Sequence, residues 1–97
     1  MMSLNQIKSS LRSIKPYLQS KYQISQISIF GSYARNEQTD SSDVDILVEF
    51  NKTPDLLTFI EIEEFLNAKL NSVVDLVPKR KLKSQLKSQI LKEAISI

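Results

Sequence analysis

The chain has 97 residues, 41% of them hydrophobic and 25% charged, with 13 basic and 11 acidic side chains and a net charge of +2. Such a make-up fits one folded domain able to bury roughly 60–65% of its unfolded surface and argues against wholesale disorder, and the charges are too balanced to argue for nucleic-acid binding, so no direct nucleic-acid binding is expected. The absence of Cys and His removes disulfides, thiolate nucleophiles, cysteine zinc sites and imidazole bases, so chemistry here must run on carboxylates.

Ser3-Leu4-Asn5-Gln6 fits a capping box, and Leu4, Ile7, Leu11, Ile14 and Leu18 then recur at helical spacing. Pro16 interrupts that pattern and predicts a kink or an end near Lys15, with a last turn resuming to about Lys21. Ile27-Ser28-Ile29-Phe30 reads as a buried strand stopped by Gly31, the chain's one glycine. A glycine there marks a backbone with positive φ, or an approach too close for a Cβ. Ser32 is expected to cap a short helix through Tyr33, Ala34 and Arg35, and the polar run from Asn36 to Ser42 to be loop.

Asp43 to Phe50 alternates, with Val44, Ile46, Val48 and Phe50 on one face and Asp43, Asp45, Leu47 and Glu49 on the other. Thr53-Pro54-Asp55 supplies a cap, a proline at the first helical position and a first-turn acid for a helix marked by Leu56, Phe59, Ile60, Ile62, Phe65, Leu66 and Leu70. Ser72 to Val77 is a third strand closed by Pro78, and Leu82, Leu86, Ile90 and Ala94 or Ile95 mark a final amphipathic helix. The order α-β-(short α)-β-α-β-α predicts an α+β fold, a three-stranded mixed sheet flanked by helices, in a single domain over residues 1–97. No stretch approaches the ~20 apolar residues of a membrane span, and Met1-Met2-Ser3-Leu4 lacks a signal-peptide core, so a cytoplasmic address is expected.

Aspartate is depleted from strands, yet Asp43 and Asp45 share a strand face and Asp75 sits in another short apolar strand. Side chains two apart on a strand are about 6–7 Å from each other, so two ionised carboxylates repel by roughly 2–3 kcal/mol at an effective dielectric near 20. A hard cation such as Mg²⁺, which binds through one or two carboxylates plus phosphates and water, removes that penalty. Taken singly, Asp43 reads as a loop acid, Asp45 as the wet face of an edge strand and Asp75 as a partner for the basic residues at 79 to 81. Gly31-Ser32 alone reads as a capped turn, although such a turn also offers backbone N–H groups and a hydroxyl to phosphate oxygens. The basic segment from Lys79 to Lys92 reads first as a solvated helix face and second as a surface that steers ATP or an acidic partner.

Gly31-Ser32-Tyr33-Ala34-Arg35 followed by Ser42-Asp43-Val44-Asp45-Ile46-Leu47-Val48 resembles the signature of the DNA polymerase beta-like nucleotidyltransferase superfamily, and more narrowly its MNT group of minimal nucleotidyltransferases. The resemblance implies that Asp43 and Asp45 coordinate two Mg²⁺ ions bridging the phosphates of ATP, and that Asp75 completes the metal site beside the attacking hydroxyl. It makes Gly31, Ser32, Arg35 and Ser42 candidate nucleotide contacts. It also implies an antitoxin whose partner is a HEPN-domain ribonuclease, inactivated by transfer of AMP to a tyrosine. The family usually carries glycine after the arginine, where this chain has Asn36, a residue that tolerates left-handed backbone. An alternative reading keeps the fold only as a scaffold that neutralises its partner by binding it stoichiometrically.

Overall fold

A computed structural model describes residues 2–97; Met1 lies outside them. Helix α1 (Leu4–Tyr22) leads into strand β1 (Ile24–Phe30), the single turn α2 (Gly31–Ala34), β2 (Val44–Phe50), α3 (Leu56–Leu70), β3 (Val74–Pro78), a 3₁₀ turn over Lys79–Lys81, α4 (Ser84–Glu93) and β4 (Ile95–Ser96). The sheet runs in the order β3-β2-β1-β4. Strand β1 is antiparallel to β2 and β4, while β2 and β3 are parallel. A parallel pair needs a crossover, and α3 supplies it.

The capping box at α1 forms in full: the Ser3 hydroxyl accepts from Gln6 N–H and the Gln6 amide oxygen accepts from Ser3 N–H at 2.7 Å. Contrary to the expected break near Lys15, α1 runs unbroken through Pro16. The proline is on the exposed side of the helix, as is Arg12, so water can satisfy the Arg12 carbonyl that loses its intrahelical donor. Helix α3 starts later than its proline implied. Asp55 is the cap, its carboxylate accepting from Thr58 N–H at 2.8 Å, which leaves Thr53 and Pro54 in the preceding loop.

The core lies between the two long helices and one face of the sheet. Ile7, Leu11 and Leu18 from α1 and Ile62, Leu66 and Leu70 from α3 are buried with Ile27, Ile29, Val44, Ile46, Val48, Val74 and Leu76. The strand pairs Ile27↔Val48, Ile29↔Ile46, Val44↔Val74 and Ile46↔Leu76 put these side chains on one face. By the same register Phe30, Asp45 and Asp75 fall on the other face. That outer face is only partly covered, since α4 carries no buried residue.

The fourth strand was not expected. Ile95 leaves the last helix and pairs with Ile29, while Ser96 pairs with Ser28, so the sheet has four strands rather than three. Two residues are too few to show a period-2 pattern, and Ile95 had read as the end of α4.

Leu66 is 1% exposed at the centre of this core. Leu66→Ala is expected to destabilise the fold by about 2–5 kcal/mol, read as a lower urea midpoint at unchanged slope.

Candidate functional site

Asp45 and Asp75 are paired neighbours on parallel strands, which places their side chains on the same face about one strand spacing apart. Asp43 sits one residue before β2 and is exposed. Burial pushes the Asp45 carboxyl up to about 6; the negative charges of Asp75 and Asp43 push the same way, and Arg35 opposes them. Asp45 therefore lies in the field of both other aspartates.

Gly31 explains where the Asp45 carboxylate is put. Its φ is +73°, and a Cβ added there would overlap the Asp45 carboxylate, with Cγ only 2.9 Å away. Both reasons for a glycine, a left-handed backbone and a close approach, thus apply at one position. Helix α2 begins at Gly31 itself after Phe30, with no side-chain cap. Ser32 is consequently inside the turn and not its cap; it is half-buried, and its carbonyl accepts from Glu37 N–H at 2.8 Å. Tyr33, 1% exposed, anchors the turn in the core. Asn36 has φ 59°, the left-handed conformation a glycine would otherwise supply, and donates its N–H to Tyr33 O at 3.3 Å.

Ser42 is engaged locally: its hydroxyl accepts from Thr39 N–H at 2.9 Å and its N–H donates to Thr39 O at 3.0 Å. It closes the 39–42 turn that delivers Asp43. Arg35 donates through Nε to Glu37 at 2.8 Å and through Nη1 to Glu93 at 3.0 Å. Both glutamates escaped the sequence reading. The close spacing of Arg35 and Glu37 was a usable signal, whereas Glu93 lies 58 residues away and nothing local announces it.

Lys79 pairs with Glu49 at 3.2 Å and not with Asp75, and among the described residues none of the three aspartates has a salt bridge. An open cleft of about 560 Å³ flanks Asp43, between Tyr33, the 40–42 loop and Asn71 to Val73. A second cavity, about 460 Å³, lies at the other end of β2 and β3 against Glu49, Lys79, Arg80 and Lys87; it carries none of the three aspartates.

Among the described residues no group of three or more acidic, His or Cys side chains is gathered tightly enough to hold a metal ion by itself. Asp45 and Asp75 are adjacent on the parallel strands, and Asp43 stands one residue before β2. The donors still suit a hard cation. They are all carboxylate oxygens, they repel one another, and magnesium needs only one or two of them when phosphates and water fill the remaining positions.

A nucleotidyltransferase domain model matches residues 11–97. The chain belongs to this family. The protein adenylyltransferase MntA of Thermococcus cleftensis is 44% identical to it over 97 residues, spanning 100% of this chain and 98% of that one. A solved structure of a provisionally named minimal nucleotidyltransferase superposes with a TM-score of 0.84 at 31% identity, covering 99% of this chain and 97% of the other. The MNT antitoxin complex with a tri-AMPylated Shewanella oneidensis HEPN toxin gives a TM-score of 0.68 at 26% identity, over 93% of this chain and 70% of that one. The nucleotidyltransferase palm thus accounts for the sheet, its crossover and the acid-bearing strands β2 and β3.

Asp45 holds its proton more tightly in the folded protein than in the unfolded chain. Its contribution to stability is full below pH ~4 and lost as the pH rises through about 6. Asp45→Asn is therefore expected to stabilise the metal-free nucleotidyltransferase at pH 7.5 by about 1 kcal/mol after allowance for solvent screening, raising Tm by about 4–8 °C. A calorimetric scan showing a lower Tm for the variant contradicts the repulsion described here. Gly31→Ala is expected to cost about 1–2 kcal/mol through its left-handed backbone and to turn the Asp45 carboxylate away. Titration of Mn²⁺ with a bound nucleotide analogue, followed by electron paramagnetic resonance, should then show weakened binding.

Proposed function

We propose that residues 1–97 act as one minimal nucleotidyltransferase domain that transfers AMP from ATP to a tyrosine hydroxyl of a HEPN-domain toxin, and so serves as its antitoxin. The observation that carries this reading is the pairing of Asp45 with Asp75 beside the Gly31 turn. The names of the MntA relative and of the MNT–HEPN complex support the acceptor.

In this reading the backbone N–H groups around Gly31 and Ser32 take phosphate oxygens at the start of the α2 turn, and Arg35 adds a cation beside them. Asp43 and Asp45 hold Mg²⁺, two ions in the full reading, and Asp75 faces the incoming hydroxyl. Magnesium, when bound, neutralises the phosphate charge and the acids together. The hydroxyl oxygen forms a bond to the α-phosphorus, the bond from that phosphorus to the bridging oxygen of the β-phosphate breaks, and pyrophosphate leaves. In this reading Asp75, the most exposed acid on the paired strands, receives the hydroxyl proton.

Incubating the protein with ATP, Mg²⁺ and its HEPN partner should add AMP-sized mass increments to the partner, located on tyrosine by fragmentation. A partner that binds firmly yet gains no mass sinks the enzymatic reading. The double variant Asp43→Asn, Asp45→Asn should lower transfer by at least about a hundredfold while leaving complex formation intact. A stoichiometric neutraliser would still silence the toxin with both substitutions in place.

A further inference from the structure

We infer that Glu93 is a positioning residue for nucleotide binding: from the end of α4 it fixes the Arg35 guanidinium beside the Gly31 turn. The inference rests on the reading that Arg35 contacts nucleotide phosphates, and goes beyond it by assigning a role to a residue in a different part of the chain.

Arg35 closes α2, its own N–H donating to Gly31 O at 3.1 Å, so its backbone moves with the turn. Its side chain is long and flexible, and a free arginine there would sample many rotamers. Two carboxylates prevent that. Glu37 takes Nε from two residues along the chain and is itself exposed, whereas Glu93 takes Nη1 at 3.0 Å with a side chain only 17% exposed. Glu93 is well placed to be the stiffer hold. It stands at the last position of α4, immediately before the backbone is pinned again by the pairing of Ile95 with Ile29 and by Ile97 N–H donating to Ile27 O at 3.0 Å.

The guanidinium is not exhausted by these contacts. It has five N–H donors, and Glu37 and Glu93 use one each, leaving Nη2 uncommitted among the described residues. Arg35 closes the same turn whose first residue, Gly31, lies against the Asp45 carboxylate. A planar fork that is held in place, retains free donors and belongs to the turn beside Asp45 suits the phosphates of a nucleotide bound there. Fixing it in advance removes the entropy that binding would otherwise have to overcome.

The test is the dissociation constant of AMP-PNP with Mg²⁺, measured by calorimetry alongside thermal melting. Glu93→Gln is expected to weaken binding about three- to tenfold, and Glu37→Gln less than twofold. Glu93→Asp, which keeps the charge but draws the carboxylate back by one methylene, should weaken it in the same direction with little change in Tm. Arg35→Ala should weaken binding further, and adding Glu93→Gln to it should change nothing more. The inference is overturned if Glu93→Gln and Glu93→Asp lower Tm without moving the constant, or if Glu93→Gln costs as much in the Arg35→Ala background as alone. Unchanged binding in Arg35→Ala removes the phosphate contact and the inference together, whereas weakened binding there with unchanged Glu93 variants removes the inference alone.

Discussion

The Asp45 carboxylate is crowded on two sides, by the bare Cα of Gly31 and by the like charge of Asp75, and most of the architecture is arranged to keep it there. Each neighbour imposes a condition. The first requires a turn with positive φ at the end of β1, met by the chain's single glycine and anchored by the buried ring of Tyr33. The second requires β2 and β3 to lie parallel in a register that aligns Asp45 with Asp75. A shift of one residue would send one of these acids into the core and a valine, isoleucine or leucine to the surface. The same burial pattern that fixes the core therefore fixes the spacing of the acids.

Charge is distributed unevenly along the strands that carry them. The N-terminal ends of β2 and β3 hold three aspartates with no salt bridge among the described residues, while their C-terminal ends hold Glu49 against Lys79 with Arg80 and Lys87 nearby. The sheet's outer face is thus negative at one end and positive at the other. Folding alone would favour compensation at both ends, because an unbalanced acid costs stability in proportion to its desolvation. Only the end without the glycine turn is compensated. That asymmetry leaves unmatched negative charge beside the Gly31 turn.

Much of this was legible in the sequence because period and composition change where structure changes. The alternation from Val44 to Phe50 separated the core face from the acid face, and the lone glycine after an apolar run located the turn. Elements failed to declare themselves where the deciding interaction was remote or too short to have a period. Pro16 did not break α1 because its side of the helix is wet, a matter of tertiary placement. Asp55 outcompeted Thr53 for the α3 cap, and Ile95 became a strand only because β1 had an open edge to receive it. Ser32 was expected to cap the turn and Ser42 came in only with the family motif; Ser32 lies within the turn without capping it, and the Ser42 hydroxyl is engaged within its own loop. Glu93 was invisible for the opposite reason, since an acid at the end of an exposed lysine-rich helix has no local mark of importance.

Asn36 bears on whether the turn departs from its family in more than sequence. A residue with a Cβ in left-handed backbone carries strain of roughly 1–2 kcal/mol, and Asn is among the side chains that bear it best. The strain is offset locally: Asn36 N–H bonds to Tyr33 O, Glu37 N–H bonds to Ser32 O, and Glu37 then reaches Arg35. With φ at 59° the backbone follows the path a glycine would take. The substitution therefore alters flexibility more than shape. The Arg35 side chain is held by Glu37 and Glu93 and not by residue 36.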